Sequence, residues 1–576
     1  MKTLLVGINS KYIHTCLAVW YLKASIKNCT NTSIREFTIN DNIDDILSGI
    51  YLEKPDVLAF SCYIWNIELV RSLLREIKKL LPECIIILGG PEVSYTAEEV
   101  MKENEAADFV LCGEGEEIFP VLINSIENCS QEYKKLSGIA FKEDGHIVYR
   151  EGFNLVSQLD MLPSPYTNDL LTSTENRILY YESSRGCPFY CSYCVSSTFN
   201  GVRFFSLDRV KGDLEKLLSY KPKLIKFVDR TFNCNRKRAK EIIEYILSLS
   251  CNTIFHFEAA ADLFDLELLE LLGSAPKGRV QLEIGLQTTN YQTLNEVERV
   301  TDLDKLKRSV KEILVNGNIH VHLDLIAGLP YEDMKSFKKS FNDVYAMNPH
   351  QLQLGFLKML KGSKIRREAE KHKYSFRDYS PYEILENKYI SYNDILELKD
   401  VEEVLERYFN SGRFLKSLET LEYLYSGDYY KLFRQISVYC RKNRYLDRSV
   451  SYRENISVLF NFVKTDLFDK IDLERFRQAM VFDFLSSDSS CAIPEAIKAQ
   501  HDLLPSSRAH EFLKSEKFLK EYLPDAIGFS AKNILKRVFF VSLHMLTGPD
   551  EILMFDYQSK DSVDGKYRSI VVTCNN

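Results

Sequence analysis

The sequence predicts an α/β fold in which two units of alternating strands and helices precede a mainly helical region. Three observations support this prediction. Short apolar runs alternate with amphipathic helical segments in the first part of the chain, and a second such series begins near residue 178. From about residue 375 the strand alternation fades and helical periodicity dominates. Hydrophobic residues at 45% and charged residues at 27% are ordinary values for a packed globular chain.

The first unit, residues 1–135, is predicted to form a doubly wound, Rossmann-like parallel sheet. Its strands are expected at TLLVGI, DVLAFS, CIIILGG and DFVLCG. Ligands bind beyond the carboxyl ends of the strands in such sheets, and small or polar residues follow these ends. A Gly–Gly pair also makes simple turns, so the pattern alone leaves a cofactor site and plain turns equally open. The candidate residues are Ser61, Tyr63, Gly89, Gly90, Glu92, Glu114, Gly115 and Glu116.

A hairpin-like stretch and a Pro-containing linker, residues 136–172, lead into the second unit. Residues 173–372 contain six apolar strand patterns separated by helical segments, which predicts a partial (β/α)6 barrel. The strands are expected at ILYYESS, LIKFVD, TIFHFEAA, RVQLEIGLQ, HVHLDLIAG and QLQLGFLK. Functional groups should lie at the carboxyl ends of these strands.

The last region, residues 373–576, is predicted to be mainly helical, with a short strand pair near its end. Its charged and aromatic stretches are more typical of solvated helix faces than of nucleic-acid sites. The net charge of −7 also argues against a general polyanion binder. The N-terminus has no signal-peptide pattern, and no apolar run reaches the roughly 18 residues of a membrane span, so we expect a cytoplasmic protein without membrane contact.

One group of cysteines stands out among the fourteen in the chain. Cys187, Cys191 and Cys194 follow the first barrel strand with the spacing C-x3-C-x2-C, whereas Cys234 is isolated. Thiolates suit zinc or iron–sulfur clusters. A structural zinc site needs four ligands, usually in two pairs, and the second pair is missing from the sequence. A four-iron cluster with three thiolates leaves one iron open to a small chelating molecule. Three unrelated core thiols are the remaining alternative.

The C-x3-C-x2-C motif after the first strand of a β/α barrel resembles the signature of radical S-adenosylmethionine (SAM) enzymes. The resemblance implies a [4Fe-4S] cluster held by Cys187, Cys191 and Cys194, whose fourth iron binds SAM. Reductive cleavage of SAM then gives a 5′-deoxyadenosyl radical. Tyr193 occupies the aromatic position before the last cysteine. Asp229 resembles the acidic residue that helps to hold the methionine amino group, although Arg230 replaces the second acid of many relatives.

Further SAM contacts are implied by the later strand ends. Glu258 and Glu283 lie on the third and fourth barrel strands, where acceptors can bind the ribose hydroxyls. A buried carboxylate needs a ligand or a cation, so an internal salt bridge, with Arg279 or Arg185, is an equal alternative for each. GLQTTN and LDLIAGLPYED resemble the fourth-strand and fifth-strand patterns of the family, which adds Gln287, Gly328 and Pro330.

The first unit is similar to the cobalamin-binding domain that precedes some radical SAM barrels. FSCYIWN, ILGGPEV and VLCGEGEEIF match its serine-bearing, double-glycine and acidic loops. The motif D-x-H-x-x-G, whose histidine binds cobalt from below, is absent, and His14 lies in a different setting. The resemblance therefore implies cobalamin without a histidine lower ligand, or a degenerate domain. Around YFNSGRF, the C-terminal region resembles an uncharacterised domain that accompanies such barrels.

These features predict an enzyme that cleaves SAM and uses cobalamin to transfer a methyl group to an unactivated carbon. A cobalamin-binding radical SAM enzyme that catalyses rearrangement, cyclisation or oxidation is the alternative, and a non-enzymatic iron–sulfur or cobalamin sensor is a third hypothesis. The implied partner is an electron donor of the flavodoxin or ferredoxin type. The sequence does not identify the substrate, and it assigns a catalytic role to no residue.

Overall fold

The first α/β unit is a seven-stranded sheet in the computed structural model, which describes residues 1–26, 31–199 and 201–573. The spatial order is β2-β1-β3-β4-β5-β6-β7, with β1 to β5 parallel and the β6–β7 hairpin antiparallel. The hairpin that was expected between the units therefore extends the first sheet. Its strands are β1 (Thr3–Asn9), β2 (Thr32–Thr38), β3 (Val57–Ser61), β4 (Ile85–Gly89), β5 (Phe109–Leu111), β6 (Ile139–Glu143) and β7 (His146–Arg150).

Helices cover both faces of this sheet, because its central strands are apolar on both sides. The burial pattern of β1 and β3 is continuous, whereas the edge strand β2 is only partly buried. The helices are α1 (Leu17–Ser25), α2 (Ile43–Glu53), α3 (Ile67–Leu80), α4 (Pro91–Ser94), α5 (Ala97–Glu103) and α6 (Ile118–Glu127).

The second unit contains the six predicted strands in one parallel sheet, which confirms the partial barrel. A short helix, α7 (Asn168–Leu171), precedes it. The sheet order is β15-β14-β13-β12-β11-β8, so consecutive barrel strands are neighbours. Between the first two barrel strands, β9 and β10 form a small antiparallel hairpin. The strands are β8 (Leu179–Tyr181), β9 (Ser184–Gly186), β10 (Val202–Phe204), β11 (Leu224–Phe227), β12 (Ile254–Glu258), β13 (Val280–Gln287), β14 (His320–Ala327) and β15 (Gln351–Phe356).

Amphipathic helices pack on the outside of the barrel sheet. Side chains alternate along β13 and β14: the outward ones are buried and apolar, and the inward ones are partly exposed. The barrel therefore has a polar lumen that remains accessible. Its helices are α8 (Leu207–Ser219), α9 (Arg236–Ser248), α10 (Leu266–Gly273), α11 (Tyr291–Glu296), α12 (Leu303–Val315) and α13 (Met334–Tyr345).

The C-terminal region is mainly helical, as predicted, and ends in a three-stranded antiparallel sheet rather than a strand pair. A two-stranded ribbon connects it to the barrel. Its helices are α14 (Lys364–Arg367), α15 (Tyr392–Leu405), α16 (Leu415–Glu422), α17 (Tyr429–Lys442), α18 (Tyr452–Asp466), α19 (Leu473–Ser487), α20 (Ser506–Lys514), α21 (Glu516–Tyr522) and α22 (Ala531–Ile534). Its strands are β16 (Ser375–Phe376), β17 (Ile384–Glu386), β18 (Val538–Val541), β19 (Glu551–Lys560) and β20 (Tyr567–Thr573).

A continuous apolar core joins the three regions. One cluster of buried side chains runs from Leu5 in β1 through the barrel to Phe555 in β19. Separate clusters lie on the other face of the first sheet and under the last sheet. Every helix in the described part of the chain is too short or too polar to cross a lipid bilayer.

Candidate functional site

The three clustered cysteines lie in one loop that begins at the end of β9. Cys191 is buried, whereas Cys187 and Cys194 are partly exposed. The loop is fixed on both sides, since Ser192 N donates to Val297 O at 2.9 Å and Ser192 O accepts from Ile365 N at 2.9 Å. Burial raises the pKa of the Cys187 thiol, and the nearby Cys194 and Cys191 add to the effect. The three sulfur atoms therefore belong to one site.

The number of these sulfur atoms bears on the choice of metal. A structural zinc site needs four ligands, whereas a four-iron cluster that leaves one iron open to a small molecule needs three thiolates. Cys187, Cys191 and Cys194 supply three. Among the described residues, the group of possible metal ligands that lie within 4.8 Å of one another is Glu474, His501 and Asp502.

Asp229 supports the cysteine loop from the end of the second barrel strand. Its Oδ1 accepts from Ser183 Oγ at 2.6 Å and from Ser184 Oγ at 2.5 Å, and Oδ2 accepts from Ser183 N at 3.0 Å. Burial raises the pKa of the carboxyl, and the serine hydrogen bonds oppose this effect. Its hydrogen bonds thus organise the chain before Cys187, and its contact with the methionine amino group stays a prediction.

Arg299 contacts two residues of the cysteine loop, Tyr193 and Cys191. Its Nη1 lies 3.3 Å from Tyr193 Oη and 3.8 Å from Cys191 Sγ, and its Nη2 donates to Gly285 O. Its Nε is buried and has no hydrogen-bond partner in the structure. A guanidinium beside the cysteines with a free donor is suited to an anionic group of a bound molecule.

Gln287 and Asp324 supply two free acceptors near the same place. Gly285 pairs with Asp324 across the β13–β14 ladder, and the Gln287 amide approaches Gly285. Gln287 Oε1 and Asp324 Oδ1 are buried without a hydrogen-bond partner in the structure. Burial raises the pKa of Asp324 to about 8, with the charges of Glu283 and Glu258 adding to the rise. Leaving buried polar atoms unpaired is costly, so this arrangement suits a polar ligand.

The two strand carboxylates differ in their partners. Glu283 accepts hydrogen bonds from Lys226 Nζ and His256 Nε2, both at 3.0 Å. The His256 hydrogen bond, with Lys226, lowers the pKa of Glu283 to about 2 despite burial. Glu283 therefore has an internal salt bridge with Lys226, not with either of the two arginines considered from the sequence. Burial raises the pKa of Glu258, and Arg230 is the strongest opposing influence.

Gly328 and Pro330 are occupied by contacts within the chain. Gly328 O accepts from Tyr374 Oη at 3.0 Å and Asn387 Nδ2 at 2.9 Å, and Pro330 O accepts from Thr293 Oγ1 at 2.8 Å. A Cβ on Gly328 would lie 2.9 Å from Ile384 Cδ1. The close approach at Gly328 is thus to the ribbon of the C-terminal region.

A cavity of about 710 Å³ lies between the first sheet and the barrel. Of the residues predicted for cobalamin, Ser61, Tyr63, Gly89, Gly90, Glu114, Gly115 and Glu116 line it. A Cβ on Gly90, where φ is +111°, would lie 2.5 Å from Cys62 O, whereas one on Gly89 would meet nothing within 4 Å. Gly90 therefore makes a tight turn that a side chain would disrupt, whereas Gly89 faces open space. An open surface of this kind fits a broad ligand such as a corrin.

Glu92 and His14 occupy different positions around this cavity. Glu92 is buried outside it and accepts from Tyr382 Oη at 2.8 Å. His14 lines the cavity, but its Nδ1 is hydrogen-bonded to Tyr180 Oη, and its backbone is held by Arg177. Burial lowers the pKa of His14, so the ring is neutral and tied to the barrel.

The acidic loop of the first unit binds two arginines of the barrel. Arg203 Nη1 contacts Glu114 Oε2 at 2.8 Å, and its Nη2 contacts Glu114 Oε1 at 2.5 Å. Arg185 contacts Glu116 at 2.6 Å and Glu182 at 2.9 Å. Burial raises the pKa of Glu182 to about 7, although Arg185 opposes this rise. Charge complementarity thus fixes the first unit on the cysteine loop.

Several residues of this site were not singled out from the sequence. They are not part of a local motif, because their roles arise when distant strands meet. The alternation of buried and partly exposed side chains along β14 was the available signal for Asp324. Arg230 was noted only because it replaces the second acidic residue of many radical SAM enzymes. The residues are Glu182, Arg203, Arg230, Arg299 and Asp324, and Arg185 was considered only as a partner of Glu258 or Glu283.

Comparison with known proteins agrees with the three-part architecture. Residues 3–123 match the B12 binding domain, residues 181–344 match the radical SAM superfamily, and residues 370–560 match a protein family of unknown function, DUF4080. The cobalamin-dependent SAM radical enzyme OxsB, solved with aqua-cobalamin and SAM bound, has a TM-score of 0.57 at 16% identity. The similarity covers 84% of this chain and 78% of OxsB and supports the fold.

Curated relatives match only part of their own length. The 2-(S-pantetheinyl)-carbapenam-3-carboxylate methyltransferase of Streptantibioticus cattleyicolor is 23% identical over 54% of this chain and 47% of its own. The anaerobic magnesium-protoporphyrin IX monomethyl ester cyclase of Cereibacter sphaeroides is 21% identical over 51% of this chain and 50% of its own. The chain thus spans about half the length of these relatives.

The domain matches confirm the predicted cofactor classes, namely a [4Fe-4S] cluster with SAM in the barrel and cobalamin in the first unit. The donor set and the open cavity described above fit both groups. The chain therefore combines, in this order, matches to the B12 binding domain, the radical SAM superfamily and the DUF4080 family.

Proposed function

We propose that this chain is a radical SAM enzyme that uses cobalamin to transfer a methyl group to an unactivated carbon. The observation that carries the proposal is the cavity between the two units. One wall contains strand ends of the B12 binding domain, including Ser61 and Gly89, and the other contains barrel residues around the cysteine loop, including Glu182 and Val228. Two cofactor sites that share one cavity can act on one substrate.

The barrel residues divide into cluster ligands and SAM contacts. Cys187, Cys191 and Cys194 would hold the cluster through their thiolates. Arg299 would receive the SAM carboxylate, because it lies beside Cys191 and has a buried free donor. The unpartnered acceptors of Gln287 and Asp324 would receive the SAM ammonium or ribose hydroxyls. We retain Tyr193, Asp229, Glu258, Glu283, Gly328 and Pro330 as residues around this site, with supporting roles for those already paired within the chain.

The B12 binding domain would hold the corrin at its open strand ends. Ser61, Tyr63, Gly89 and Gly90 are the residues expected to contact it, since they line the cavity. Glu114 and Glu116 would act mainly by holding the domain against Arg203 and Arg185. Glu92 would stabilise the double-glycine loop through Tyr382.

When bound, the cluster and SAM supply a radical that abstracts hydrogen, and the corrin supplies a methyl group. The chain's own residues orient the substrate between them and limit the entry of water. Aromatic side chains in the cavity wall serve the second purpose, among them Tyr21, Phe119, Phe153 and Phe199. An external reductant is required, and we propose a flavodoxin or ferredoxin as this partner.

Anaerobic reconstitution tests this function. The protein would be loaded with iron, sulfide and trideuteromethyl-cobalamin and supplied with SAM, reductant and an extract of the organism that encodes it. We expect 5′-deoxyadenosine, S-adenosylhomocysteine and a product that carries the labelled methyl group. Formation of neither SAM-derived compound with any extract would contradict the proposal.

A second candidate is a cobalamin-binding radical SAM enzyme that performs cyclisation, rearrangement or oxidation without methyl transfer. The similarity to a cyclase favours it. The same reconstitution distinguishes the two candidates. Under this alternative 5′-deoxyadenosine forms, the product lacks the label, and S-adenosylhomocysteine does not accumulate.

A further inference from the structure

We propose that Arg230 selects a substrate with an anionic group, either a carboxylate or a phosphate. This inference rests on the proposed function, because it concerns the molecule that binds between the two cofactors. Arg230 follows the second barrel strand and lines the cavity between the barrel and the B12 binding domain. Its side chain is exposed to that cavity.

Among the described residues that line the cavity, the charged side chains are paired with one exception. Glu116 and Glu182 contact Arg185, and Glu114 contacts Arg203. Arg230 has no ion-pair partner within 4.0 Å and no side-chain hydrogen bond among the residues that the structure describes. An unpaired guanidinium in a ligand cavity is a ready donor for a planar or tetrahedral oxyanion.

The neighbours of Arg230 hold its backbone in place. Asp229 is fixed by Ser183 and Ser184. On the other side, Thr231 Oγ1 lies 3.6 Å from Cys187 Sγ. Both flanking side chains thus contact residues 183–187, and the Arg230 side chain lines the cavity.

Two further residues locate the Arg230 charge between the cofactor sites. In the barrel, burial raises the pKa of Glu258 and Arg230 opposes the rise. In the B12 binding domain, burial raises the pKa of Tyr63 and Arg230 again acts in the opposite direction. Arg230 therefore lies between residues proposed for SAM and residues proposed for the corrin. Arg299 is the cation beside the cysteines and is better placed than Arg230 for the SAM carboxylate.

Chemical labelling of arginine tests the anion site directly. The protein loaded with cluster and cobalamin would be treated with phenylglyoxal in chloride, acetate or inorganic phosphate at equal ionic strength, and the peptides mapped by mass spectrometry. We expect Arg230 to react in chloride and to react several-fold more slowly in acetate, phosphate or both. Arg185, which is 9% exposed and paired with Glu116 and Glu182, is the control that should react little.

Each result has a defined meaning. Protection by phosphate indicates a phosphorylated substrate, protection by acetate a carboxylate, and equal protection an anion of either kind. Reaction that is equally fast in all three salts would overturn the proposal. Labelling that occurs only without cobalamin would assign Arg230 to the corrin, and labelling under neither condition would mean that the chain itself pairs it. Both results would also overturn the proposal.

Methyl transfer from trideuteromethyl-cobalamin separates this inference from the proposed function. An extract would be divided on an anion exchanger, and label is expected in a product from the retained fraction. Arg230→Gln should raise the KM roughly tenfold to hundredfold. Arg230→Lys keeps the positive charge and should raise the KM less. The exposed control Arg236→Gln should leave the KM unchanged. Label only from the unretained fraction would overturn the anionic substrate but not methyl transfer. If no fraction gives a product with the deuterated methyl group, methyl transfer is contradicted. The phenylglyoxal experiment still tests the anion site in that case.

Discussion

Arg185 binds Glu116 across the boundary between the barrel and the B12 binding domain, with 2.6 Å between Nη2 and Oε1. The Arg185 side chain is 9% exposed and also contacts Glu182. Arg185→Gln would leave buried carboxylates without their cation. We expect the free energy of unfolding to fall by about 3–5 kcal/mol, measured by urea denaturation.

The matched control is Glu98→Gln, which removes an exposed ion pair with Lys102. Such pairs contribute less than about 1 kcal/mol. Equal effects of Arg185→Gln and Glu98→Gln would show that the interdomain ion pair does not stabilise the fold.

The three-cysteine ligand set leads to a second prediction. Alanine at Cys187, Cys191 or Cys194 should abolish the absorbance of the reconstituted cluster and the cleavage of SAM, because three thiolates are already the minimum. Cys234→Ala should leave both nearly unchanged, since Cys234 lies outside the loop. Loss of the cluster absorbance in Cys234→Ala would show that the ligand assignment is wrong.

The sequence predicted the six strands of the barrel because each strand alternates with a helix of clear periodicity. It also predicted the cysteine loop, since the motif is local. It did not reveal that Asp229 binds Ser183 and Ser184, or that Gly328 contacts Ile384. These contacts join segments far apart in the chain, and composition and spacing carry no information about them.

Asp324 makes the stability of the SAM-free protein depend on pH. Its pKa is raised to about 8 by burial and by the nearby Glu283 and Glu258, whereas an unfolded aspartate titrates near 3.9. Between these values the folded state binds the extra proton, so stability falls as pH rises toward 8. Asp324→Asn should remove a slope of up to about 1.4 kcal/mol per pH unit. Urea unfolding curves at pH 5 to 8 measure this slope, and parallel profiles of the two proteins would contradict the expectation.

His14 is expected not to bind cobalt, because it does not lie in a D-x-H-x-x-G motif and its ring stacks on Tyr180 of the barrel. The absorption spectrum of bound cob(II)alamin should therefore be the same in His14→Ala as in the wild type. Gly90→Ala is the contrasting variant, since its new Cβ would lie 2.5 Å from Cys62 O and displace the loop. It should weaken cobalamin binding in equilibrium dialysis. A spectral change in His14→Ala would instead identify a histidine lower ligand.

Gly328 should respond to substitution through Ile384 of the C-terminal region. At Gly328 φ is +93°, and a Cβ would lie 2.9 Å from Ile384 Cδ1 and 3.0 Å from Ile384 Cγ2. Gly328→Ala therefore adds a clash to the backbone strain, which alone costs about 1–3 kcal/mol. Gly317→Ala is the control for strain, because φ there is +60° and a Cβ would meet nothing within 4 Å.

A double-mutant cycle with Ile384→Ala isolates the clash. Ile384→Ala alone creates a cavity and should destabilise the fold, whereas in the Gly328→Ala background it also removes the overlapping atoms. We expect the double variant to be more stable than the sum of the two single effects, measured by the free energy of unfolding. The contrary outcome is that the effects of the two substitutions add and that Gly328→Ala and Gly317→Ala lower the free energy of unfolding equally. The ribbon would then move to accommodate the new methyl group, and glycine would be needed at position 328 only for its positive φ.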